Sequence, residues 1–214
     1  MPETEIQPAS QTGLVNASDS LHGFDASDID IPRLNIVQKT SDIDSETGTL
    51  VLDKTHELVA PDTQALCIVL SATKKWREDV PFDDDVMPKI ANNMAECAEL
   101  RESSSYPVIE WADITLLFPQ PEDDDNPEAF PFPIGEKSYA MGRINVAKDA
   151  YRKTFKALTT FATFNKTIPI TSRMWTFESQ LLSRGKYSWY VPTLAVSPEE
   201  VPADAAEFIS SLGL

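Results

Sequence analysis

The side chains with chemistry to offer cluster in residues 172–190, SRMWTFESQLLSRGKYSWY. Arg173, Trp175, Phe177, Arg184, Lys186, Tyr187 and Trp189 alternate cation and ring within this stretch. Guanidinium and ammonium groups neutralise phosphate, and aromatic rings stack on bases of any identity at about 1–3 kcal/mol each. Lys74, Lys75, Trp76 and Arg77 form a second group, a ring among three cations. A third consists of Lys148, Arg152 and Lys156, whose i, i+4 spacing makes a basic stripe along a helix, with Arg143 shortly before them. Each group has a plainer alternative. The rings of the first can be core beside surface cations, the second an ordinary surface Trp, the third a solvated helix face.

Enzyme chemistry has little to stand on. The chain has no glycine-rich phosphate loop, no G-x-S-x-G and no H-E-x-x-H. His22 and His56 are isolated, so no general base sits beside a nucleophile. The acidic triplets Asp83–Asp85 and Asp123–Asp125 have no calcium-loop spacing and read as solvated loops. Cys67 and Cys97 lie outside any zinc spacing, and Cys67, within ALCIVL, reads as a buried hydrophobe. No catalytic residue, metal or cofactor is therefore expected.

The formal net charge of -16 argues at first against nucleic acid. The charge is segregated, however. Residues 137–186 hold ten Lys and Arg against two acids, a net +8, and leave -24 for the remainder of the chain. A basic segment of that size is the footprint of a polyanion-binding surface.

Two-period alternation and proline-rich connections predict a mainly β protein with one long α-helix. Residues 1–28, rich in Ser, Asp, Gln and Pro, predict a flexible N-terminal arm. Residues 29–197 make the predicted domain. It opens on Ile29, Ile31, Leu34, Ile36 and Val37, which Pro32 restricts to an edge or a strand start. TQALCIVL predicts a central strand with KKWR at its polar exit. Pro88–Leu100 predicts a short helix, VIEWADITLLF and SYAMGRINV predict strands, and AKDAYRKTFKALTTFATFN the long helix. The last pair of strands turns at Gly185. Strand parity puts Trp175 with Phe177, and Tyr187 with Trp189, while Tyr190 takes the face opposite Trp189. If the two pairs share one side, they make half a core or a stacking platform. Strands of this number and length favour a small antiparallel barrel or sandwich. Residues 198–214 form an acidic, amphipathic tail. They read either as a mobile segment that docks on partner proteins or as a helix packed on the body. No apolar run reaches the about 18–20 residues that span a bilayer, so no membrane contact is expected.

DIDIPRLNIVQKTSD, YRKTFKALTTFATFN and GKYSWYVPTL together resemble the single-stranded DNA-binding proteins of tailed bacteriophages, over roughly residues 28–196. The resemblance implies an OB-like barrel, sequence-independent binding of single-stranded DNA, and a part in phage replication or recombination. It also implies partner proteins recruited through the tail and a cytoplasmic location in the infected host cell. The tail lacks the dense acidic run of many such proteins. Two other readings compete: a non-catalytic structural or assembly protein of the phage, and an acidic DNA mimic that occupies another protein's site. The sequence leaves the oligomeric state open, a homo-oligomer included.

Overall fold

The computed structural model describes residues 30–81, 83–122, 124 and 126–212. The chain divides after Asp30, and the larger of its two units is Ile31–Leu214. The expected arm over residues 1–28 lies outside the described residues.

The larger unit is built from two antiparallel sheets. Its small sheet contains β1 (Leu34–Ile36), β2 (Leu50–Leu52) and β3 (His56–Val59) in that order. The large sheet has seven strands. Its path runs β10 (Tyr187–Glu200), β9 (Arg173–Arg184), β4 (Gln64–Glu78), β6 (Val108–Pro119), β8 (Lys137–Ala147) and β7 (Phe132–Ile134). The short β5 (Ile90–Ala91) pairs β4 off this path. Since β10 and β7 end the path unpaired with one another, the sheet does not close into the expected barrel. The mainly β, antiparallel expectation holds.

Alternation along β4 and β6 gives the large sheet two apolar faces. Cys67, Val69, Ile114 and Leu116 join Trp175, Phe177 and Leu194 in a first core, covered by Leu34, Leu50 and Leu52 of the small sheet. The cover is close. A Cβ at Gly142 of β8 would lie 2.6 Å from Leu34 Cγ, so only glycine admits the small sheet there. On the other face Ile68, Leu70, Leu117, Tyr139 and Met174 form a second core. Ile68 and Leu70 share that core by plain alternation, and a β-bulge between Val69 and Ser71 then keeps Ser71 on the same face and shifts the parity of the residues beyond it. Burial also drives the Cys67 thiol pKa well up, as expected of a structural cysteine.

Helices cap the sheets. The expected single long helix is two, α2 (Lys148–Lys153) and α3 (Phe155–Phe164), broken at Thr154, whose hydroxyl donates to Ala150 O at 2.7 Å. The first helix, α1 (Met94–Ser103), begins six residues after Pro88. Asn93 caps it by accepting from Glu96 N at 3.0 Å, while Glu96 reaches back to Asn92 N at 2.7 Å. The C-terminal segment is a docked helix, α4 (Ala203–Ser211), with Ala205 and Ile209 in the second core and Phe208 against Phe132. Of the two readings of residues 198–214, the packed helix is the one observed, and the boundary at 197 falls inside β10. No helix among the described residues is long and apolar enough to cross a membrane.

Candidate nucleic-acid interface

Strand β4 runs straight through KKWR, which is therefore not a strand exit. Alternation sends Lys74 and Trp76 to one face and Lys75 and Arg77 to the other. Trp76 is buried against Ala91, Cys97, Leu100 and Val108 under α1, so its ring is not offered to a base. Lys74 pairs with Glu110, and that hydrogen bond raises the Lys74 pKa.

The β9–β10 hairpin decides the fate of the remaining rings. Its two-residue turn pairs Arg184 with Tyr187, and Gly185 supplies the positive φ of 62°. From that register, Tyr190 falls on the face of Phe177 and Trp175, and Tyr187 and Trp189 fall on the opposite one. The four rings named from the sequence thus make no common platform. Trp175, 1% exposed, donates from Nε1 to Ile170 O at 3.0 Å and meets Phe161 edge-on; Phe177 is 0% exposed against Phe118. Both are core. Arg173 sits at the far end of the hairpin, 3.4 Å from Glu200 and 3.4 Å from Pro198 O, away from the other cations.

Four predicted cations do meet. Lys148, Arg152, Lys156 and Arg184 line one cleft of about 410 Å³, with Ile109, Glu110, Asp149 and Tyr151. They converge because the hairpin tip reaches α2. Asp149 lies 3.4 Å from Arg152 and 3.8 Å from Arg184, joining helix and tip. Lys148 occupies the left-handed region (φ 52°) at the strand-to-helix junction and reaches Asp79 at 2.8 Å. Lys156 has no ion pair among the described residues.

Two shallower depressions extend the cleft. One shares Lys148, Asp149 and Arg184 with it and adds Lys39, Ser188, Trp189 and Tyr190. The other shares Arg152 and Lys156 and adds Phe161 and Phe164. Phe164, 82% exposed, stands at one end, and beyond the lining of the other, next to Ser188 in the chain, Tyr187 is 65% exposed with Lys186 Nζ 5.3 Å from its centroid. Trp189 is half-buried. Gln38 fixes the strand beside it, its amide donating to Tyr190 O and accepting from Tyr190 N, both at 2.9 Å. Such a side chain imitates a neighbouring strand. Tyr190 packs over Gly48, where a Cβ would come within 2.7 Å of the ring.

Lys75, Arg77 and Arg143 lie elsewhere, on the outward face of β4, β6 and β8 with Trp111 and Asp113. Of the cleft and its flanks, Lys39, Asp149 and Phe164 are not expected from the sequence, and neither are Gln38 and Trp111. Phe164 continues the apolar spacing of the α3 face and nothing local marks it as exposed. Among the described residues no cluster of His, Cys, Asp and Glu could hold a metal ion. No protein-family model matches this chain, and no curated protein or solved structure matches it significantly.

Proposed function

We propose that this protein binds single-stranded DNA without sequence preference and without catalysis, in the manner of the phage proteins its sequence resembles. One observation carries the reading: Lys148, Arg152, Lys156 and Arg184, drawn from two regions of a strongly acidic chain, face one cleft. Gathering like charges costs electrostatic free energy, which a bound polyanion returns. The exposed ring of Phe164 at one end and the half-buried ring of Trp189 at the other favour a single strand, because duplex bases are already stacked and offer no free face. An assembly role would not require these cations to converge.

The expectation of an OB-like barrel belongs to the same reading. The residues flanking β1 reach β8 through the Arg33–Arg143 bridge and β10 through the Gln38–Tyr190 contact, so the small sheet spans one face of the large one, an arrangement that supports comparison with an open barrel. A role in phage replication or recombination follows from the resemblance and from single-strand binding.

The test is a tryptophan fluorescence titration with oligo(dT) at low and at moderate salt. Quenching through Trp189 and a steep loss of affinity with salt are expected. Absence of binding at low salt would overturn the proposal.

A further inference from the structure

Trp111 belongs to none of the basic groups that the sequence displays. Register places it on the outward face of the sheet beside Lys75 and Arg77, with Asp113 and Arg143 further along. A large ring on an open sheet face is ordinarily exposed, yet Trp111 is only 9% exposed. Cations help to cover it. Lys75 Nζ lies 5.7 Å and Arg77 Cζ 5.6 Å from the ring centroid. The cover is imperfect in one respect: Trp111 Nε1 and Arg77 Nε are both buried without a hydrogen-bond acceptor among the described residues. A buried donor left unpaired is destabilising, so this arrangement gains when an acceptor arrives.

The surroundings suit a nucleotide strand. Ser71, Thr73, Lys75, Asp113, Thr115 and Arg143 line a depression of about 140 Å³ on the same face, and Arg143 has no ion pair among the described residues. Ile109, paired with Arg77, lines the cationic cleft, and Ala147, paired with Trp111, borders its neighbour. The covered ring thus lies across the sheet from Glu110 and Tyr151 of the cleft, with Ile109 and Ala147 at the strand ends between the two.

We propose that Trp111 is a second stacking position for single-stranded nucleic acid, covered in the free protein by Lys75 and Arg77 and exposed when these cations move onto the strand's phosphates. The inference rests on the single-strand reading of the cleft. Phosphate oxygens give Arg77 a charge-assisted partner stronger than a ring face, Lys75 exchanges its 2.7 Å ion pair with Asp113 for phosphate, and a base on the indole replaces what the ring loses. Phosphate oxygens and base carbonyls also supply the acceptors that the two buried donors lack.

Photo-cross-linking decides the matter. The full chain is saturated at low salt with an oligo(dT) carrying scattered 5-bromodeoxyuridine, irradiated, and its cross-linked peptides mapped. Attachment at Trp111 as well as at Tyr187 or Trp189 is expected. The Lys75→Ala, Arg77→Ala double variant should raise the yield at Trp111 relative to Trp189 while lowering affinity several-fold. Cross-links at Tyr187 or Trp189 without Trp111 would overturn the inference and leave the single-strand reading standing. Failure to bind at low salt would overturn both.

Discussion

The cleft makes a quantitative claim about salt. If Lys148, Arg152, Lys156 and Arg184 each neutralise one phosphate, the logarithm of affinity falls against that of salt concentration with a slope of about -2.8, because each single-strand phosphate contributes about -0.7. Raising salt from about 50 to about 200 mM then weakens binding about 50-fold. The Arg152→Ala, Lys156→Ala double variant keeps two cations, for a slope of about -1.4 and a loss of about seven-fold over the same range. Asp149 already neutralises part of Arg152 and Arg184, so these slopes are upper bounds. Both substituted side chains are exposed on α2 and α3, where truncation changes stability by about 0.5 kcal/mol or less. Fluorescence anisotropy with labelled oligo(dT) at four salt concentrations measures the slope, and thermal melting by circular dichroism confirms that the variant is folded. Lys89→Ala, Arg101→Ala provides a control of equal charge outside the cleft lining. A folded double variant with the wild-type slope, or a control that loses as much, would refute the reasoning.

Asp149→Asn should strengthen binding several-fold and steepen the salt slope, since it frees Arg152 and Arg184 together; weaker binding would mean that the carboxylate serves to position them. Tyr187→Ala or Trp189→Ala should each cost about 1–3 kcal/mol of binding and little stability, measured by titration and melting. Trp175→Ala should behave oppositely, lowering stability by about 3–5 kcal/mol, because its ring is core. Hydrogen bonds from the Ser104 side chain and the Lys89 N–H hold the Glu78 carboxyl below the ordinary value of 4.5. A depressed folded pKa contributes stability that is full above the unfolded value and is lost as pH falls through the folded one. Denaturant unfolding at pH 7 and near pH 3 should therefore show an acid-side loss that Glu78→Gln reduces; an unchanged pH dependence would remove Glu78 from its causes.

Most strands were legible because their residues alternate over long stretches: β4, β6, β8, β9 and β10 fall where apolar periodicity puts them. What misled was local chemistry that sequence distance hides. The capping pair Asn93 and Glu96 outranked Pro88 as a helix start, and a single hydroxyl contact at Thr154 accompanies the break in the long helix. Site residues divided in the same way. The cationic stripe on α2 and α3 was readable from spacing alone, and its meeting with Arg184 depends on the hairpin reaching α2. The rings were harder. Parity within a strand is local, but which face of one strand matches which face of the next depends on turn length, and the two-residue turn at Gly185 put Trp189 opposite Trp175. Burial of Trp175 and Phe177 then comes from the small sheet and α3, contributed by residues far away in the chain.

The bulge at Leu70 carries a consequence for how this chain tolerates insertions and deletions. On its N-terminal side β4 is fastened to both β6 and β9, and on its C-terminal side it holds Trp76 beneath α1 while presenting Lys75 and Arg77 outward. Deleting Leu70 restores a regular ladder and leaves Lys75, Trp76 and Arg77 on their present faces, whereas a one-residue deletion between Ser71 and Lys75 turns the distal half over, sending two cations under the helix and an indole into water. The bulge is thus the one place along this stretch of β4 where the strand can lose a residue without exchanging what it offers to a ligand for what it buries.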